Sequence, residues 1–370
     1  MSPSPKIAHI ISPKSWRGGE QQAVNVYEEL DKLGIYQIFV CPKGSITEQY
    51  CKDHGFNYYA FPKRLALDLG FAKNLSRVCR KEGIDILHPH DSGAHTLSIL
   101  SIDLFRNPCD VLLQRRVDFP VSKSLFSRYK YNHLRIKKIL CVSNAIKEIL
   151  KPDIKRQELL QVVYEGIDPS KFVLPAGDTL RKEFSIPASS PIIANVAALA
   201  PQKDYFTFID TVKILVNDGL EATFMAFGNG PQEAEIMAYA KETGMDKHIH
   251  FAGFRTDIPQ ILPEIDMLLF SSETEGLGTT ILDCYAAEVP IVSTNAGGIP
   301  ELIIHKKTGY LGKVKDAESL ASGVKLAIQN PEERMAWVNG GKERLKLFTR
   351  DITAKNTLAA YQEIIASEKN

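Results

Sequence analysis

Two carboxylates set around a glycine turn carry the first chemical signal in this chain. In "LLFSSETEGLGTTILDCYAAEVPIVSTNAGGIPE", Leu268 to Glu301, Glu275 and Asp283 lie eight apart around Gly276-Leu277-Gly278. The apolar run before the turn reads as a buried strand, and a helix is expected to open at about Thr279. Glycines there let the backbone approach a ligand closely, while the free N–H groups of a helix start favour an anion. A carboxylate beside an anion cradle is electrostatically awkward unless it accepts hydrogen bonds from neutral hydroxyls. That suits sugars: a ribose diol for one carboxylate, hexose hydroxyls for the other. The next junction, "PIVSTNAGGIPE", repeats the device, with Gly297-Gly298 before Pro300 at the first turn and Glu301 at the positive helix end. One Gly-x-Gly alone would be a tight turn. The ordered set of such junctions points to ligand binding at strand ends.

A second group of polar candidates lies earlier. "DILHPHDSGAHTL" ends a strand and opens a helix, which makes His90 and His95 candidates for polar groups at a reacting sugar and leaves His88 as structural. Arg115 and Arg116 close another strand and are assigned to a phosphate or an acidic acceptor. They begin the basic stretch 115–138, "RRVDFPVSKSLFSRYKYNHLRIKK", with eight cations and one acid. A solvated charged face is its default reading. Membrane-surface contact is the second, because Phe119, Leu125, Phe126 and Tyr129 interleave with the cations.

The elements that must position these residues alternate in type. Short β-branched runs and amphipathic stretches succeed one another almost throughout, the pattern of βαβ units and parallel sheets. In the first half the expected strands are Lys6–Ser12, Tyr36–Cys41, Asn57–Phe61, Ile84–His88, Val111–Arg115 and Lys138–Val142. The pattern falters at "VVYEGIDPSKFVLPAGDTLRKEFSIPASSP", a Pro-rich linker with a hinge expected around Glu165–Pro175. A second series follows: "PIIANVAAL", "EATFMAFG", "HIHFAG", "IDMLLFSS" and "PIVST". The predicted fold is α/β, two Rossmann-like doubly wound domains facing each other across a cleft. The boundaries are 1–168, the acceptor-binding domain, and 169–350, the nucleotide-sugar-binding domain, with a C-terminal helix 351–370 packing back on the first.

Composition narrows the function classes. The 370 residues fit two domains, and 44% hydrophobic with 24% charged residues is ordinary for a globular protein. Residues 1–168 hold 25 Lys/Arg against 18 Asp/Glu, so the net charge of +1 hides a basic first half. No nucleic-acid module accompanies it. The six cysteines show no metal-type spacing and read as reduced packing residues. No G-x-G-x-x-G follows the first strand, which argues against a dinucleotide oxidoreductase. No run of about 18 apolar residues occurs, so the expected location is cytoplasmic, with peripheral contact on the inner membrane face through 115–138 as the open addition.

With these motifs in order, the chain resembles the retaining, Leloir-type glycosyltransferases of family four, with the GT-B fold. That family carries Glu-Gly-Phe-Gly, four residues, a second Glu, then a strand and Gly-Gly-x-Pro-Glu; here the match is "EGLGTTILD" and "GGIPE". "RGGEQQ", "YEGID", "LAPQKD", "FGNGP" and "FAGFRTDI" extend the likeness along almost the whole length. The resemblance implies that Glu275 holds donor-sugar hydroxyls and Asp283 the ribose. It places Lys203 on the diphosphate and the amides of Gly276, Leu277, Gly278, Thr279 and Thr280 on the diphosphate or sugar. It further implies Asn229 and the backbone near Arg255 at the donor, and Gly18 and Gly19 turned to the phosphates from the first domain. His90 and His95 would position the donor for front-face attack, in which the leaving phosphate takes the acceptor proton.

Two departures stand out. Ala197-Ala198 replaces the usual Gly-Arg before Lys203, and Asp283 is one methylene shorter than Glu. Arg17, Arg115, Arg116 and Arg255 are the candidates to replace the missing diphosphate cation. The implied activity is hexosyl transfer from a UDP- or GDP-sugar to a hydroxyl acceptor, glycan or lipid-linked, in lipopolysaccharide or surface-glycan synthesis, without metal or cofactor. The alternative is a catalytically weak nucleotide-sugar-binding pseudoenzyme or partner subunit. Nucleotide-sugar epimerisation on the same architecture is a third reading, against which the motif order argues.

Overall fold

The computed structural model describes residues 4–172 and 177–367. The chain forms two compact units, Met1–Gly166 with Arg350–Asn370, and Ile167–Thr349. Each is built on an all-parallel sheet, which requires both faces to be covered and explains the nearly continuous apolar strands.

The first sheet has the order β3-β2-β1-β4-β5-β6-β7. Its strands are β1 (Ile7–Ile10), β2 (Gln37–Pro42), β3 (Tyr58–Phe61), β4 (Ile86–Pro89), β5 (Asp110–Arg115), β6 (Ile136–Cys141) and β7 (Leu160–Val162). The chain winds away from β1 in one direction through β2 and β3 and in the other from β4 onward. The carboxyl ends of β1 and β4 therefore flank the switch point, where doubly wound sheets bind ligands. One face is covered by the helices Gly18–Lys32 and Arg350–Ser367, whose Val26, Leu30, Ala354, Tyr361 and Ile364 pack on Ile7, Ile86, Leu112 and Leu140.

The second sheet has the order β10-β9-β8-β11-β12-β13, with β8 (Ile192–Val196), β9 (Thr223–Phe227), β10 (Ile249–Gly253), β11 (Met267–Phe270), β12 (Ile291–Thr294) and β13 (Tyr310–Gly312). Its switch point lies between β8 and β11. The helices Tyr205–Asn217 and Ala317–Gln329 bury Phe208, Val212, Leu215, Leu320 and Val324 against it.

Strands β7 and β13 have no counterpart in the sequence reading. Each has three residues and stands at a sheet edge, too short to display a period. The chain crosses between the units at 166/167 and 349/350 rather than at 168/169 and 350/351. Ile167 pairs with Thr349, and its amide bonds the Phe348 carbonyl, so the linker begins as part of the second unit. Of the expected hinge, Val173, Leu174 and Pro175 lie outside the described residues, as do the last three residues of the expected terminal helix. All six cysteines are free and buried. Among the described residues no helix is long and apolar enough to cross a membrane.

Candidate active site

In the second unit the switch point assembles the residues that the sequence singled out. Lys203 ends a short turn after β8, and Glu275 follows β11. The two side chains form an ion pair, and the Ser272 hydroxyl donates to the same Glu275 oxygen at 2.9 Å. Lys203 Nζ also lies 5.5 Å from the centre of the Phe270 ring. The loops are fixed from below. Asn195 Nδ2 donates to Ser271 Oγ at 3.2 Å, Ser271 Oγ donates to the Lys203 carbonyl at 3.0 Å, and the Glu273 amide donates to the Gln202 carbonyl at 2.8 Å. The two residues to which the resemblance assigns the donor sugar and the diphosphate thus neutralise each other.

The helix after the turn spans Thr279–Ala286, with Gly278 at its start in the left-handed region, φ 87°. The first-turn amides of a helix lack i−4 carbonyl partners, and here the Ile281 amide turns back to the Gly278 carbonyl at 2.9 Å. Thr279 and Thr280 are half-buried there, while the Leu277 side chain is buried, which leaves its backbone for any contact. The Gly297-Gly298 turn works differently from the expectation that it repeats the anion cradle. The Gly298 amide bonds the Glu275 carbonyl at 2.9 Å, and a Cβ on Gly297 or Gly298 would overlap the Glu275 or Gly276 carbonyl. Its function is to brace the Glu275 turn, backbone against backbone.

Asp283 sits on the fifth residue of the same helix, half-buried, with no hydrogen-bond partner for its carboxylate among the described residues. Desolvation pushes its pKa up to about 7, with the Lys171 charge acting in the opposite direction. The loop after β8 is laced to the loop after β9: the Leu199 amide bonds the Asn229 carbonyl at 3.0 Å, and side chains at Gly228 and Gly230 would strike the Ala197 and Leu199 carbonyls. Ala198 and Asn229 are exposed on that rim. Arg255 is removed from the list of replacement cations. Its Nε and Nη2 bond Asp257 at 2.9 and 2.8 Å, and its Nη1 bonds Glu183 at 2.7 Å, so its charge is already matched by two carboxylates.

The first unit holds the other candidates at its own switch point. Gly18 and Gly19 lie in the first turn of the helix Gly18–Lys32, not in the loop before it, and exposed Arg17 precedes them as the cap. Asp91 joins the two strand ends, accepting from the Ser12 amide at 2.8 Å and the Ala94 amide at 2.9 Å. Arg116 lies beside Gly19, pairs with Glu165 and donates to the His90 carbonyl at 2.9 Å. His90 is buried with its ring against His9, Nε2 to Nδ1, at 2.9 Å.

His95 and Arg115 are corrected. His95 is completely buried on its helix, Nε2 is 3.0 Å from the Lys130 carbonyl, and burial lowers its pKa to about 3. Arg115 is buried too, donating to Tyr131 Oη and to the Phe119 carbonyl. Both point into the unit because apolar neighbours, invisible to local spacing, close over them. His88 is structural, its Nδ1 2.5 Å from Tyr361 Oη. The residue that sequence reading missed is His9, a lone polar side chain in the apolar run of β1. Its signal was the register: β1 and β4 align His9 with His88, which brings His9, His88 and His90 into one buried cluster.

The basic stretch also reads differently in three dimensions. Lys130 is buried and donates to Ser92 and Thr96, Arg135 and Lys137 face Asp110, and Lys138 pairs with Glu363. Only Lys123 and Arg128 of the eight cations are exposed, whereas Phe119, Leu125, Phe126, Tyr129 and Leu134 are exposed apolar residues. The default of a solvated charged face is therefore overturned, since most of these charges are consumed internally.

Comparison with known proteins places this arrangement in a class. The family model described as Glycosyltransferase Family 4 matches residues 16–171, and the one described as Glycosyl transferases group 1 matches residues 177–344. The chain belongs to this glycosyltransferase family. It is 24% identical to an N-acetyl-alpha-D-glucosaminyl L-malate synthase of Bacillus anthracis, over 85% of this chain and 84% of that protein. It is also 24% identical to a UDP-Gal:alpha-D-GlcNAc-diphosphoundecaprenol alpha-1,3-galactosyltransferase of Escherichia coli, over 86% and 87%. Its fold is that of Anabaena HepE solved in complex with UDP-glucose, with a TM-score of 0.83 at 18% identity over 98% and 99% of the two chains.

Proposed function

We propose that the protein transfers a hexosyl group from a UDP-sugar to a hydroxyl acceptor, with retention at the anomeric carbon and without a metal. The observation that carries this reading is the Lys203–Glu275 pair beside the open helix start at Gly278–Thr280. Arrival of a nucleotide-sugar gives each partner a better use: Lys203 turns to the diphosphate, and Glu275 accepts from sugar hydroxyls. The helix amides add fixed positive potential where the leaving group gains charge. Asp283 accepts from the ribose, and Arg116 and Arg17 remain the candidate cations for the diphosphate. UDP is the favoured nucleotide because UDP recurs in the names of the E. coli relative and the HepE complexes.

The acceptor is a lipid-linked or surface-glycan precursor, in line with the diphosphoundecaprenol-linked acceptor of the E. coli relative. The exposed apolar surface of the helix Leu125–Tyr131, with Leu125 86% exposed between Lys123 and Arg128, supports contact with an anionic membrane.

The test is UDP release from UDP-glucose, UDP-galactose and UDP-N-acetylglucosamine with lipid-linked and soluble acceptors, followed by assignment of the product anomer. An α product formed in excess EDTA is the expected result. An inverted product, or activity restored only by Mg2+ or Mn2+, would overturn the mechanism. UDP binding without release under any acceptor would make the chain a donor-binding partner instead.

A further inference from the structure

The polar cluster between β1 and β4 has a direction, and Gln37 sets it. Gln37 Nε2 donates to the Tyr27 carbonyl at 3.0 Å, so the atom turned toward His9 is Oε1, which can only accept. His9 Nε2 lies 3.0 Å from that oxygen and therefore carries the ring proton. Burial lowers the His9 pKa to about 4, so the ring is neutral at pH 7 and its Nδ1 is a bare acceptor. His90 Nε2 faces that nitrogen at 2.9 Å and must be the donor. Burial holds the His90 pKa well below its ordinary value, so this ring is neutral as well. Its Nδ1 is then bare, and Arg116 Nη2, a donor only, stands 3.4 Å away. The chain runs from Arg116 through His90, His9 and Gln37 to the Tyr27 carbonyl, with one donor and one acceptor at every link.

We propose that His9 is a positioning residue for Arg116: by holding His90 as its Nε2–H tautomer it keeps a lone pair turned to the guanidinium. Arg116 is then held at three points, by His90 Nδ1, by the His90 carbonyl and by Glu165. His9 is 0% exposed, and its hydrogen bond to His90 is its link toward Arg116.

The same three histidines, with one ring nitrogen of each within 4.8 Å of the others, have the spacing of a transition-metal site. The contacts favour the relay. His9 and His90 spend their facing nitrogens on each other, His88 is engaged by Tyr361, and Arg116 sets a permanent positive charge at the remaining His90 nitrogen. Metal capture would have to break this chain against that charge.

Ring 15N spectra of the full chain at pH 7, assigned with single-histidine variants, read the tautomers directly. The expected result is a neutral Nε2–H ring at both His9 and His90. His9→Phe keeps the aromatic packing against Phe39 and Tyr27 but removes the acceptor. It should mix the His90 tautomers and speed exchange of the Arg116 Nε proton about ten-fold, the unprotected side chain losing one of its anchors. His9→Asn, which retains an acceptor, should keep the parent His90 and Arg116 signals. A His90 Nδ1–H ring in the parent protein, an Arg116 signal unmoved in His9→Phe, or stoichiometric uptake of zinc chloride by the three histidines would each overturn the proposal. If His9→Phe does not fold, the parent tautomers and His9→Asn still decide it. The role of Arg116 in turnover rests on the function proposed above and is read separately with UDP-glucose. There kcat should fall about ten-fold in His9→Phe, with UDP affinity changed less than about two-fold, and recover in His9→Asn. A loosened Arg116 with unchanged kcat would keep the relay and remove Arg116 from the reaction.

Discussion

The two switch points of this molecule share a topology and differ in how their polar groups are used. At β1 and β4 the rings of His9 and His90, the Gln37 amide and the Arg116 guanidinium satisfy one another in sequence. At β8 and β11 a largely buried ion pair, a half-buried carboxylate with no hydrogen-bond partner among the described residues and a helix start lie together. A closed network whose donors and acceptors are matched in a low-dielectric interior is rigid and costly to disturb, so it holds a shape. Groups whose partners are few or exchangeable can bind. One scaffold therefore serves two purposes, and the difference lies in side-chain pairing rather than in fold.

The comparison can be broken at the brace under the open site. Gly297→Ala forces a Cβ into the Glu275 carbonyl at a left-handed residue, φ 48°. It is expected to cost about 1–3 kcal/mol and to abolish turnover by moving the Glu275 turn. Gly18→Ala, in open space at a helix start, should cost nothing in thermal stability. Equal melting losses for the two variants would remove the brace from the account.

Glu275→Gln comes next. Turnover should fall about a hundred-fold while the affinity for free UDP changes little, because hydrogen bonds to sugar hydroxyls mature in the transition state. A loss confined to UDP binding would reassign Glu275 to the nucleotide.

A smaller effect is expected at Asp283, and its sign follows from desolvation. The folded carboxyl, with a pKa of about 7, holds its proton over a range where the unfolded chain, at 3.8, has released it. Stability is therefore lost as pH rises from about 4 to 7, and Asp283→Asn should melt higher than the parent at pH 8 but not at pH 4. UDP affinity of the parent should rise through pH 7 as the acceptor carboxylate forms. A flat affinity profile would remove Asp283 from the ribose.

The smallest change is expected for Arg255→Gln, which should weaken UDP by less than about two-fold and stability by less than about 1 kcal/mol, as for other surface ion pairs. A large loss of UDP binding would show that its two carboxylates release it on demand.

Much of this was legible along the chain because it depends on local spacing. Twelve residues around Glu275 encode a strand end, a glycine turn and a helix start, and Thr279 opens that helix as the sequence predicted. Strand alternation and loop length gave two parallel α/β units, and order of motifs gave the family. Pairing across the fold was not encoded locally. Arg115, Arg116 and Arg255 were equal candidates from the sequence, yet Arg115 is buried beneath Tyr131 and Phe119, Arg255 is clamped by two carboxylates, and Arg116 is anchored to His90 and Glu165. His9 was hidden as an ordinary position in an apolar strand until the register of β1 with β4 set it beside His88 and, one residue beyond the strand, His90. Sequence determined which backbone turns and helix starts exist, because φ/ψ preference and periodicity act over a few residues. Only the tertiary structure decided which charges remain free, because that depends on what distant segments bring within 3 Å.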